Sequence, residues 1–304
     1  HNNNNNNNNG NNNHLNDVAP KTIDTSSCQL LTAEDKTVLN PTWTASYPGS
    51  GAKLSWKLIR ALTGIFTSDE HDHNGRVASN KAVAVKTHYP SHTPTEIMQK
   101  DELKRIRRAI LLIRNPLHSI PSYHNFVYEQ VNGLRNHSVR APIEAWIKWR
   151  NEFFGTEIKA WIDHQRFWLN NFSREEGKFH LLSFEHLTSH KRGVETLRQM
   201  GAYLASGGSD IAEGMIPVDQ LPCVWQIYVK EGNVPGEKDR RKSHREGGPT
   251  VYPFTNDQLD EMISRMEEFK AEYPNFPALT EVLDEYIETI RSKKELILQL
   301  VASS

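Results

Sequence analysis

Three short segments combine residues whose types and spacing can manage an anion and a proton. Tyr47 to Trp56 reads YPGSGAKLSW. Gly49 and Gly51 let the backbone turn tightly and approach a ligand, and a helix amino end beyond them offers free N–H groups and partial positive charge. Lys53 adds a full charge at the first turn, and Ser50 and Ser55 add hydroxyls, so Pro48 to Leu54, Ala52 included, is a candidate phosphate or sulfate loop. In AVAVKTHY, His88 carries an imidazole with an ordinary pKa near 6.5, able to take a proton from a hydroxyl at neutral pH. Lys86, two residues earlier, falls on the same side of an extended strand and can hold a neighbouring anionic group. Arg114, in Arg114-Asn115-Pro116, is a natural bidentate partner for a phosphate, and Ser122, expected at the start of the next helical stretch, offers a hydroxyl to the same group. A later basic run, Arg240 to Ser243, places Arg241 and Lys242 in a loop that can close over a phosphate.

Taken singly, each segment also has a purely structural reading: a tight turn, a core histidine, a strand-end ion pair with a capping serine, a solvated basic surface. A nucleoside-triphosphate loop would read G-x-x-x-x-G-K-[ST]. Here one residue separates Gly49 from Gly51, Leu54 follows Lys53, and no magnesium-binding acid accompanies them.

The elements that must position these groups alternate along the chain. Strands are predicted at Trp43 to Tyr47, Ala82 to Tyr89, Ala109 to Ile113 and Phe179 to Phe184, the last followed by Glu185. A helix follows the glycine loop, with Leu54, Leu58, Ile59 and Leu62 at helical spacing and Gly64 as its stop. Others are predicted over about 142–170, 188–205, 256–272 and 278–300. The Trp and Phe residues of 142–170 read as core packing. The pattern predicts one α/β domain, a mainly parallel central sheet flanked by helices with a P-loop-like strand-loop-helix, and ligands outside the carboxyl ends of the strands.

With 304 residues and a formal net charge of -1, the chain needs no staples to fold and has no global basic field for nucleic acid. Cys28 and Cys223 are too few for a metal site; two unpaired buried thiols are expected, a single bridge between them being the alternative. No apolar run reaches the roughly 20 residues of a membrane span. Residues 1–13, nearly all asparagine, are expected to be a disordered tether and 14–40 a polar stem, with the domain at 41–304. Asn136-His137-Ser138 and Asn171-Phe172-Ser173 fit the N-glycosylation pattern. A glycoprotein of the Golgi lumen, tethered by an anchor upstream of His1, and a cytoplasmic enzyme both remain open.

Together the segments resemble the PAPS-dependent sulfotransferases, over roughly residues 42–270. YPGSG looks like their 5′-phosphosulfate loop, and KTHYP resembles the segment whose histidine, here His88, is the general base. ILLIRNPLHSIPSYHNF resembles the 3′-phosphate segment, with Arg114 and Ser122. LLSFEHL, which holds Phe184, is similar to the strand ending in an acid. RRKS with PFTNDQ resembles the late loop that closes over the 3′-phosphate through Arg241 and Lys242. The resemblance implies sulfuryl transfer from 3′-phosphoadenosine 5′-phosphosulfate (PAPS) to an acceptor hydroxyl, with Lys53 and Lys86 assisting and no metal. It also implies that loops 67–80, 128–145 and 207–240 choose the acceptor. The chain departs from the family where a lysine is common at Gly49, hydroxyl residues at Ala52 and Lys53, and tryptophan at Leu54; Lys53 is expected to replace the missing charge. An inactive binding domain and a P-loop kinase are the alternatives.

Overall fold

Apolar β-strands bounded by polar turns order themselves into one sheet in the computed structural model, which describes residues 25–173, 175–232, 247–248 and 251–302, without the side chains of Ser26 and 296–302. The strands β1 (Thr42–Ser46), β2 (Ser68–Asp69), β3 (Ala84–Thr87), β4 (Arg108–Ile113) and β5 (Phe179–Ser183) are all parallel, in the order β2-β3-β1-β4-β5. Every residue of β4 is buried, as a parallel strand covered on both faces requires. Its side chains divide with the pleat. Ala109, Leu111 and Ile113 face one apolar cluster, and Ile110 and Leu112 the other.

Helices cover both faces. On one side lie α1 (Ala52–Thr63), through Leu58, Ile59 and Leu62, and α4 (Gly193–Ala205), through Leu197, Met200 and Leu204. On the other lie α3 (Ile143–Phe172), α5 (Asn256–Ala271) and α6 (Pro277–Ala302). Between β4 and α3 runs α2 (Pro116–Val131). The α/β reading of the sequence therefore holds, and Trp146, Trp161 and Trp168 are core residues, each 1 % exposed or less.

Four sequence expectations need correction. The short edge strand β2 has only two residues and no pattern to reveal it. The strand expected to end at Phe184 stops at Ser183, whose hydroxyl accepts the His186 N–H and caps a helical turn, Phe184–Thr188. Ser122 does not start a helix: α2 begins at Pro116, capped by the Asn115 side chain, which accepts from Leu117 N. The cysteines are not free thiols. Cys28 and Cys223 form a disulfide with Cα atoms 5.7 Å apart, closing a separation of 195 residues. The partners meet because the segment read as a stem is packed from residue 25 onward. Leu30 and Leu31 lie against the α1 face, Val38 is wholly buried, and Leu39 N donates to Asp210 Oδ2 at 2.9 Å. Among the described residues, no helix is long and apolar enough to cross a membrane.

Candidate active site

The expected site residues are carried to the carboxyl end of the sheet by β1, β3 and β4. From β1 the chain passes through Tyr47 into a loop with Gly49 at φ 80° and Gly51 at φ 97°, and Gly51 is the N-cap of α1. Gly51 O takes the N–H groups of Leu54 (2.9 Å) and Ser55 (3.1 Å). The N–H groups of Gly51, Ala52 and Lys53 meet no acceptor among the described residues, and no side chain caps the helix. Ser50 Oγ is buried without a partner. Lys53 is exposed at the first turn. The Ser55 hydroxyl is consumed locally, donating to Ala52 O at 2.9 Å, and Leu54 and Phe184 are each partly buried against the apolar cluster on the α1 face.

Arg114 leaves β4 and reaches this loop, its Nη1 donating to Gly49 O at 2.7 Å. Its guanidinium lies 4.3 Å from the centre of the Phe184 ring, and its Nε is buried without a partner. Burial pulls the Arg114 pKa below its ordinary value, opposed by the nearby Glu185 carboxylate. Glu185 braces the corner: Oε1 accepts from Asn115 N at 3.1 Å and Oε2 from Tyr286 OH at 2.5 Å.

Ser122 sits against the loop from α2, and its position accounts for Gly49. A Cβ at residue 49 would lie 2.3 Å from Ser119 O, 2.9 Å from Tyr123 N and 3.0 Å from Ser122 Cβ. Helix α2 fills the space that any side chain at residue 49 would need.

His88 follows β3, and its Nδ1 lies 2.7 Å from Ser46 O. Nδ1 must donate to that carbonyl, so Nε2 keeps its lone pair. The main chain is held as well, His88 N donating to Thr93 Oγ1 and the Thr93 hydroxyl to Glu70 Oε1. Burial, then the charge of Lys86, lowers the His88 pKa to about 4 against the pull of the Ser46 hydrogen bond. The imidazole is neutral at pH 7. Lys86 rests its ammonium 5.6 Å from the centre of the Trp56 ring.

Three further residues, Glu157, His92 and His164, join the site from places the motifs do not reach. Tyr47 OH donates to Glu157 Oε2 at 2.6 Å, and burial together with that carboxylate pushes the Tyr47 pKa well above 10. His92 Nε2 lies 3.5 Å from the same oxygen, its ring 4.6 Å from that of Tyr123 and 5.4 Å from that of Tyr47. His164 is fully buried with both ring nitrogens unpartnered, and burial holds its pKa well below 6.5. A signal for two of them was present: Glu157 and His164 fall on a single helical stripe with Trp161 and Trp168. Arg241 and Lys242 lie outside the described residues.

Elsewhere, His186, Glu281 and Glu285 stand close enough together to share an ion, but Arg192 Nη1 already lies 2.6, 3.0 and 2.8 Å from their polar atoms. The strand-tip arrangement thus offers an uncapped helix amino end for an anion, one arginine beside it and a neutral imidazole fixed at one nitrogen.

No family profile and no curated protein matches the sequence. Among solved structures, the mouse sulfotransferase SULT7A1 complexed with PAP is similar over 85% of this chain and 91% of that one, with a TM-score of 0.47 and 16% identity.

Proposed function

We propose that this chain is a sulfotransferase that moves a sulfuryl group from PAPS to an acceptor hydroxyl, with His88 as general base. The supporting observation is the meeting of the Gly49–Gly51 loop, Arg114, Ser122 and Phe184 beside a histidine whose Nδ1 is committed to Ser46 O. The donor set suits a doubly phosphorylated adenosine: unfilled N–H groups at the start of α1 and the buried, unpartnered Ser50 Oγ and Arg114 Nε. When bound, PAPS supplies a sulfur whose bond to the 5′-phosphate oxygen breaks as the acceptor oxygen attaches.

His88 Nε2 takes the acceptor hydroxyl proton during that exchange. Its lowered basicity is set by burial and by Lys86, and a polyanion nearby shifts it back towards neutrality. The N–H groups of Gly51, Ala52 and Lys53 steady the charge left on the 5′-phosphate. Lys53 supplies the cation that position 49 has no room for, and Lys86 orients the sulfuryl oxygens. Arg114 and Ser122, with Arg241 and Lys242, hold the 3′-phosphate that separates PAPS from ATP. Catalysis here is positioning plus charge neutralisation.

The test is calorimetry with 3′-phosphoadenosine 5′-phosphate in the presence of a chelator. Binding that falls at least about tenfold when the 3′-phosphate is removed supports the reading, since one charged hydrogen bond is worth about that much. Equal binding of adenosine 5′-phosphate, or turnover of ATP with Mg²⁺, sinks it. Gly49 favours one second reading, a domain that binds the nucleotide without chemistry; sulfation of any hydroxyl acceptor disposes of it. The disulfide and the exposed Asn136 sequon support an oxidising secretory lumen, the Golgi among them, as the compartment.

A further inference from the structure

Beyond the end of α2 the chain folds into an exposed turn that is held from beneath. Leu134 N donates to Glu129 O at 2.8 Å. The Glu129 carboxylate, wholly buried, gathers three more N–H groups: His137 N on Oε2 at 2.9 Å, and Ser138 N and Val139 N on Oε1 at 2.8 and 2.9 Å. Anchored in this way, the turn holds His137 at φ 61°, a left-handed conformation uncommon outside glycine. Every residue from 131 to 137 is exposed. Asn136 Oδ1 accepts from Gln130 Nε2, while Asn136 Nδ2 meets no acceptor among the described residues. Asn136-His137-Ser138 is one of two N-x-[ST] sequences in the chain whose middle residue is not proline. The other differs in its setting. Asn171 and Phe172 belong to the last turn of α3, where Asn171 Nδ2 donates to Phe167 O at 2.7 Å. The amide that would carry a sugar is therefore tied into a helix at one motif and free on a surface turn at the other. The compartment enters through a separate observation, the Cys28–Cys223 bridge, since such bonds form and persist in oxidising surroundings.

We infer that Asn136 carries an N-linked glycan and that Asn171 does not. The donor is a lipid-pyrophosphate-linked oligosaccharide of the secretory lumen. Asn136 Nδ2 bonds to its anomeric carbon and the bond from that carbon to the phosphate oxygen breaks. The lipid pyrophosphate leaves with the electron pair, and the amide gives up one proton. A sugar there screens Val131 and Leu134, the exposed apolar side chains of the same turn. The modification rests on the secretory-lumen reading of the disulfide and is independent of the transferase reading. To test it, the chain is captured from the cells that make it and digested without reductant. Its peptides are read by mass spectrometry before and after peptide N-glycosidase in heavy-oxygen water. Asn136 should be recovered as heavy-oxygen aspartate, Asn171 as plain asparagine, and Cys28 and Cys223 as one cross-linked pair. On gels, Asn136→Gln and Ser138→Ala should each lose the glycosidase-sensitive mobility shift, while Ser138→Thr and Ser173→Ala should keep it. Plain Asn136 in a chain whose cysteines are bridged overturns the site and leaves the compartment standing. Plain Asn136 beside two free thiols overturns both. Equal modification of Asn171, or a shift that survives Asn136→Gln, refutes the assignment to this turn.

Discussion

Placing a side chain at residue 49 should harm this protein, although the family it resembles carries lysine there. The backbone at Gly49 has φ 80°, a left-handed conformation that costs an L-residue about 1–2 kcal/mol. The new Cβ would also lie 2.3 Å from Ser119 O and 2.9 Å from Tyr123 N. Both are main-chain atoms of α2, so neither can swing aside as a side-chain tip would. Overpacking of this kind costs about 1–3 kcal/mol. Together these make about 2–5 kcal/mol for Gly49→Ala, and for a domain of this size each kcal/mol lowers the melting temperature by about 2–4 °C. The melting point should fall by about 4–20 °C, and Gly49→Lys should fare no better while weakening binding of 3′-phosphoadenosine 5′-phosphate. Gly155 gives the contrast: it lies within α3, and a Cβ there meets nothing within 4 Å. Gly155→Ala should stabilise by about 0.5–1 kcal/mol. Thermal unfolding of the variants decides the matter. A Gly49→Ala protein melting within a degree of the parent would show that α2 does not press on the loop as described.

On the proposed reading, His88→Ala should lower turnover by about 10²–10⁴-fold with nucleotide affinity nearly unchanged, and near-normal turnover removes His88 from the chemistry. Lys53→Ala should slow transfer more than it weakens nucleotide binding; a variant that turns over like the parent refutes its role as the replacement cation. Cys28→Ser should cost about 2–5 kcal/mol in urea titrations, because the bridge closes a 195-residue separation, and insensitivity of the parent to dithiothreitol would contradict it. Stability should also fall in mild acid. The His88 and His180 pKa values are depressed to about 4 by burial, so the unfolded chain takes up protons first. Their stabilisation is complete above about pH 6.5 and is lost as pH falls towards 4, each buried ring giving up about 1.4 kcal/mol for every tenfold rise in proton concentration. A urea midpoint that stays flat from pH 7 to 4.5 would rule this out.

The loop at Tyr47–Gly51, His88 and Arg114 were legible because each is a contiguous signal: an apolar strand, an abrupt polar tip and a glycine or proline stop. The position of Ser122 was misread: the helix starts six residues earlier, where Asn115 supplies the cap and Pro116 the first turn. The Tyr47–Glu157 hydrogen bond joins residues 110 apart, and the disulfide joins residues 195 apart. No local pattern encodes such distances. Glu157 and His164 lay in plain view on the stripe with Trp161 and Trp168, but the aromatic residues alone sufficed to explain that helix as core. The strap at 25–40 looked polar in bulk because a few residues, Leu30, Leu31 and Val38, do its packing.

The strand order also sets how the chain must find its shape. With every pair parallel, the sheet has no hairpin, and β1 can register against β3 or β4 only after a long crossover has been laid down. Such non-local closure spends chain entropy before any contact returns it, which makes folding slow, and leaves bare strands waiting for partners. Until its partners arrive, the wholly apolar stretch of β4, an interior strand, is the segment most open to aggregation, and chaperones that shield it should raise the soluble yield.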